Sequence, residues 1–206
     1  MYEYADKAIR NMNRRNLRAF SRLKQLAFDE LNILTAVTKV YDDSVRLAKK
    51  RYYQIATEAY IAAQMLAGRS KREAEAEAED TITEDWVLDM LEDYDEVTLY
   101  QFLPEADRKK QRLVEALIAS HKKNAEVDKA LRYWTLQVSQ YAIKTVDDST
   151  LEAYKNAGVK YVKWNTEEDK KVCEVCRPLD GKVFPIDKAP SKQHYSCRCF
   201  LTPVIK

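Results

Sequence analysis

Cysteine is the residue type in this chain best able to organise chemistry, and all four copies fall between positions 173 and 199. They form two pairs, Cys173-x-x-Cys176 and Cys197-x-Cys199, with twenty residues between them and His194 three places ahead of the second pair. A Cys-x-x-Cys step lets one tight turn offer two thiolates to a single ion, and a pair from a later turn completes a tetrahedron. The intervening Leu179-Asp180-Gly181 is a turn signal followed by an apolar run, as a zinc ribbon-like hairpin requires. The spacing is therefore read as a structural Zn2+ site; disulfides, unliganded buried thiols and a catalytic zinc are the competing readings. Either Cys173, Cys176, Cys197 and Cys199 all bind, which is favoured, or His194 replaces Cys197 or Cys199. A tail of about 45 residues buries too little apolar surface to hold itself together, so metal binding would supply folding energy.

Other chemistry is poorly served. With only two histidines, His121 and His194, the chain cannot build a multi-histidine centre. It has no His-Glu-x-x-His, no Gly-x-Ser-x-Gly and no His-x-Glu ahead of Pro-Cys-x-x-Cys, and three glycines cannot make a phosphate-cradling loop. A non-enzymatic protein with no catalytic residues and no small-molecule substrate is expected.

Charge is segregated although the net value is only +2. Between Asp6 and Asp29 stand seven bases and no acid, and Lys7, Arg10, Arg14, Arg18 and Arg22 step along one helix face. Such a stripe can follow a phosphate backbone without reading sequence, dock on an acidic protein surface, or simply be a solvated face. Phe20 is the one aromatic among these bases, so base stacking is not indicated. From Glu73 to Glu96 the pattern inverts, with twelve acids and no base. That block reads either as a complementary contact surface or as a soluble linker and polar helix face.

Few breakers, three glycines and five prolines, argue for long helices. No Gly or Pro precedes Gly68, and Leu31, Leu34, Tyr41, Val45, Ala48, Tyr52, Ile55, Ala59, Ala62 and Leu66 keep helical steps. Residues 5–67 are read as one long helix or two end to end, with Tyr41, Tyr52, Tyr53 and Tyr60 as packing residues. The Glu/Ala tract after Ser70 reads as a frayed helix or linker. Thr81 and Glu84 stand at capping-box spacing before a short helix. Pro104 opens a helix to about His121, a further helix runs from about Ala125 to Thr145, and Asp147-Asp148-Ser149 starts another that stops at Gly158. Strands are expected over 159–164, 182–186 and 200–205, with Trp164 covering the metal module. The expected organisation is a long-helix region with a charged linker over 1–80, a helical body over 81–158 and a β-rich zinc module over 159–206. No apolar h-region opens the sequence and no apolar run reaches about 18 residues, so a cytoplasm-like compartment and no membrane partner are expected.

The tail resembles a known family. Residues 153–164 (AYKNAGVKYVKW), Asp169, Cys173-x-x-Cys176, Leu179-Asp180-Gly181-Lys182-Val183, His194-x-x-Cys197-Arg198-Cys199 and Pro203 are similar to the bacteriophage Mu protein F-like domain. Trp86 to Gln101, with Asp95, Thr98 and Leu99-Tyr100-Gln101-Phe102, resembles the helical part of that family, as does Arg132-Tyr133-Trp134. Family members often carry proline beside the histidine, whereas here Pro190 stands four residues before His194. The resemblance implies a minor head or head morphogenesis protein of a tailed phage or prophage. Such a protein is portal-associated, enters the procapsid in few copies, and supports assembly or DNA ejection. It implies portal, capsid and scaffold proteins as partners, DNA through phosphate contacts, and a place in the virion after assembly in the bacterial cytoplasm. The alternative is a zinc-stabilised, non-specific DNA-binding protein that is not part of a virion.

Overall fold

The computed structural model describes residues 3–26, 30–167, 172, 174–194 and 197–205. Among them the fold is mainly α, with six α-helices and a three-stranded sheet near the C-terminal end. The stretch without Gly or Pro forms α1 (Glu3–Leu23) and α2 (Glu30–Leu66), which turn back on each other instead of running end to end. Arg51 donates to Asn11 at 3.2 Å while Phe20 meets Tyr41 edge-on at 5.7 Å, so partners move in opposite directions along the two helices. A continuous rod would have left its apolar stripe wet; the fold-back buries Ala5, Met12, Phe20 and Leu23 in a core shared with α2 and the later helix over Lys123–Asn156.

Two further helices complete a bundle, α5 (Phe102–Ala119) and α6 (Lys123–Asn156). Tyr41 packs on Trp134 at 5.4 Å, the Tyr52 hydroxyl donates to the Val138 carbonyl at 2.9 Å, and Gln64 donates to the Ala153 carbonyl at 3.0 Å. These pairs ascend together, so α2 and α6 run parallel. Tyr52 on Phe102 (5.8 Å) and Asp42 beside Lys110 (3.7 Å) place α5 antiparallel to α2. Phe20, Tyr41, Tyr52, Phe102, Trp134 and Tyr141 form the aromatic centre of one core. The expected stripe on α2 holds in its middle and slips at its ends: Leu34 and Leu66 are exposed, while Ile33, Val37 and Ala63 are buried. Steps of seven drift about 20° per heptad on a straight helix, enough to rotate the seam by one position over this length.

Between α2 and α5 lie α3 (Lys71–Thr81) and α4 (Glu84–Glu92). The Glu/Ala tract is a capped helix: Ser70 and Glu73 form a reciprocal capping box, and Ala74 and Ala78, one turn apart, are buried. The capping box expected at Thr81 is not formed. Thr81 ends α3, and Thr83 caps α4 by accepting from the Trp86 N–H at 3.1 Å.

The expected break at Asp147-Asp148-Ser149 is also absent, because α6 continues through it. Thr145 and Ser149 bond back to the carbonyls of Tyr141 and Thr145 at 2.7 Å each, Lys144 pairs with Asp148 one turn on, and Val146, Ser149 and Thr150 are buried. Residues that favour a helix start in isolation are held inside one by these bonds and by packing. The helix stops at Gly158 as expected. Gly158 (φ 75°) donates to Lys155 and Val159 donates to Tyr154, the paired bonds of a Schellman motif.

The chain then enters β1 (Tyr161–Asn165), the centre of an antiparallel sheet with β2 (Val183–Pro185) and β3 (Phe200–Pro203) at its edges. Val162 and Trp164 are buried while Tyr161 and Lys163 are exposed, the period-two alternation of a sheet with one covered face. Val162 joins Ala56, Tyr60, Ile82, Ala153 and Tyr154 in a second core, which seats the sheet on the ends of α2, α3 and α6.

Candidate metal centre

Trp164 places the metal candidates. Its backbone N–H donates to Lys182 and its carbonyl accepts from Gly181, both at 2.9 Å, so the Arg177–Leu179 turn folds back over β1. Its indole packs against Cys176, Cys197 and Cys199, the covering role expected for it. On the other side, the Cys197 N–H bonds to the His194 carbonyl at 3.2 Å in a turn that leads into β3.

Cys176, His194 and Cys197 converge, their ligand atoms all within 4.8 Å of one another. The Cys176 Sγ lies 3.5 Å from His194 Nε2 and 3.7 Å from Cys197 Sγ. A tetrahedral ion bound at about 2.3 Å to sulfur and about 2.0–2.1 Å to nitrogen has S···S edges of about 3.8 Å and S···N edges of about 3.6 Å. Both observed separations match those edges. They do not match a disulfide, whose sulfurs stand about 2.05 Å apart, and Cys176, Cys197 and Cys199 are all free thiols. The residues present fit a tetrahedral soft-metal site, with two thiols and an imidazole supplying three of its corners.

Of the candidate ligands, Cys176 and Cys197 are buried and His194 is half-buried despite the distant Pro190. Cys199 is buried beside them, and burial followed by the neighbouring Cys197 pushes its thiol up from the ordinary value. Cys173 lies outside the described residues.

Sequence reading missed Lys192, which donates to the Cys199 carbonyl and pairs with Asp147 of α6 at 3.5 Å, tying the cysteine turn to the helix. No spacing signal links residues 45 positions apart. It also missed the buried Glu105 of α5, which accepts from Tyr133 at 2.5 Å and from the Arg108 Nε at 2.6 Å, with Lys109 at 3.5 Å. The Glu105, Arg108 and Lys109 spacing carried that signal.

The basic stripe survives as a surface. Lys7, Arg10, Arg14, Arg18 and Arg22 are all exposed along α1, and none has an acidic partner among the described residues. Lys24, the last base of the run, pairs with Asp128 of α6 at 2.5 Å. The acids of α3 and α4 are likewise mostly exposed. No helix among the described residues is long and apolar enough to cross a membrane.

Residues 113–202 match the family described as Phage Mu protein F like protein. The chain carries a Mu F-like domain there. The Mu F-like span covers a little under half of the chain, from the second half of α5 through α6 to β3, and contains every candidate ligand. Helices α1 to α4 stand outside it. No curated protein and no solved structure matches the chain.

Proposed function

We infer that this chain is a non-enzymatic structural protein of a tailed-phage or prophage head, with its C-terminal module stapled by a structural zinc ion. The observation that carries this reading is the Mu F-like match, whose span ends at a thiol–imidazole cluster of tetrahedral dimensions. Cys176 and Cys197 would hold the ion with His194, and Cys199 is the nearest described candidate for the fourth corner. When bound, zinc would cross-link two turns, and with Cys199 at the fourth corner it would keep no position open for a reactive water. The finer role is association with the portal or capsid interior, in support of head morphogenesis and DNA delivery. The exposed stripe of Lys7, Arg10, Arg14, Arg18 and Arg22 is suited to that role, meeting either an acidic portal surface or packaged DNA.

Mass spectrometry of purified, DNA-filled particles tests the reading. The chain is expected in few copies, co-purifying with portal, and particles lacking it should assemble but infect poorly. Its absence from mature heads and their precursors, or full infectivity without it, overturns the assignment. Duplex binding separates the two uses of the stripe. Five phosphate contacts give a slope of about −4 to −5 in log K against log salt, lost when Arg10, Arg14, Arg18 and Arg22 become glutamate. A flat salt response to DNA leaves the acidic protein surface as its partner.

A further inference from the structure

The loop joining α4 to α5, residues 93–101, is braced by its own hydrogen bonds and yet displays apolar side chains. Asp95, buried, accepts from the Val97 and Thr98 N–H groups at 3.2 Å each and from the Thr98 hydroxyl at 2.7 Å. Its backbone bridges to Tyr100, and the Gln101 side chain clasps the Glu92 carbonyl at 2.5 Å. This frame holds Leu99 at φ 61°, the only non-glycine residue with positive φ among those described. Leu99 is also 68% exposed, and Tyr94 at the start of the same loop is 58% exposed. A bulky residue in the left-handed region costs free energy that glycine or asparagine would avoid, and here no burial offsets it. As a connector alone the position is badly filled; as a presented side chain it is well filled. Glu92, Asp93 and Glu96 give the same stretch exposed carboxylates, Glu96 also accepting from Ser191.

A complementary surface lies on the same chain. Helices α2, α4 and α5 enclose a groove of about 940 Å³ whose apolar wall includes Val45, Tyr53, Leu88, Leu103 and Ala106. On its rim, Arg46 is held by Asp43, and Lys110 by Asp42 and Asp107. That leaves Lys49 and Lys50 without an acidic partner among the described residues, against one unpaired rim carboxylate, Glu84.

We propose that the 93–101 loop is a docking knob for a second copy of this chain, with Leu99 and Tyr94 seated in the neighbour's groove between α2, α4 and α5. Glu92 and Asp93 then face Lys49 and Lys50 of that copy, so the charge around the knob is opposite to the free charge on the rim. Knob and groove are separate surfaces that share α4 and α5 as flanks, so a two-fold pair can exchange them reciprocally and close as a dimer.

Sedimentation velocity on the full chain, from about 1 to about 100 μM, is the test. A concentration-dependent dimer is expected. Leu99→Gly suits the backbone and should keep or raise the thermal midpoint while weakening the dimer about tenfold or more. Glu92→Lys with Asp93→Lys, and Lys49→Glu with Lys50→Glu, should each weaken it, and the chain carrying all four changes should recover to within about threefold of the parent. A chain that stays monomeric throughout, a Leu99→Gly dimer as tight as the parent, or a four-change chain no better than its two-change components overturns the proposal.

Discussion

Deleting the Tyr133 hydroxyl isolates one buried charge network and lets its contribution be measured. Glu105 is 3% exposed on α5 and cannot exchange its partners for water. It accepts from Tyr133 of α6 at 2.5 Å and from Arg108, and Lys109 lies between it and the Tyr133 ring, 3.8 Å from the ring centroid. A hydrogen bond to a charged group is worth about 1.5–3 kcal/mol, so Tyr133→Phe should cost about that much. Removing one partner of a buried ion pair costs about 3–5 kcal/mol. Arg108, at 54% side-chain exposure, regains water when Glu105 leaves, so Glu105→Ala should fall lower, at about 2–4 kcal/mol. Urea unfolding of the parent, both single variants and the double variant gives the coupling, expected at about 1–2 kcal/mol. Burial alone would raise the Glu105 carboxyl, but hydrogen bonds from Tyr133 and Arg108 and the charges of Arg108 and Lys109 outweigh it, and its folded pKa lies below the ordinary 4.5. A depressed carboxyl contributes stability above its unfolded value and loses it as pH falls through the folded one. The Tyr133→Phe penalty should therefore be full at neutral pH and shrink below 4.5. Additive single variants, or a penalty that grows on acidification, would refute the reasoning.

Two further outcomes follow from the tail. Chelator in the presence of reductant should strip the proposed zinc and open the tail to trypsin at Lys182, Lys188 and Lys192, while far-UV circular dichroism keeps the helical signal of the bundle. Uniform loss of both signals would show that the module and bundle unfold as one through the second core that joins them, and that the metal is not what holds the tail alone. Gly158→Ala meets no steric obstacle but must adopt φ 75°, so it should destabilise by about 1–2 kcal/mol, read as a fall in thermal midpoint of about 2–8 °C. An unchanged midpoint would mean that the helix end tolerates another geometry.

Legibility in the sequence tracked how local each signal was. Gly158, the Trp164 cover and the approximate strand positions were readable, because a helix stop, a period-two run and a metal-ligand spacing all act within a few residues. Convergence of Cys176, His194 and Cys197 was readable as a pattern, His194 being the alternative to one of the last cysteine pair; Cys173, which the favoured four-cysteine set needs, lies outside the described residues. The α1–α2 hairpin was not, because residues 27–29 contain no Gly or Pro and the fold-back is decided by contacts such as Phe20 on Tyr41. Asp147-Asp148-Ser149 misled for the opposite reason. Its local preference is for a helix start, and what overrides it is burial of Val146 and Thr150 together with Ser149 bonding back to Thr145. The Lys192 tie and the Glu105 network depend on partners 28 to 45 positions away and left only fragments, such as the i, i+3, i+4 charges of α5.

An unbroken α6 has a geometric consequence for how this architecture can vary. Its 34 residues make a strut about 50 Å long that keeps the C-terminal sheet, and the cysteine turns between its strands, in fixed phase with the bundle. Each residue added or lost along it would swing the far end by about 100° and shift it by about 1.5 Å. Length changes in this region are therefore tolerable only in near-whole turns, whereas the connections at either end of α3 can lengthen without disturbing that phase.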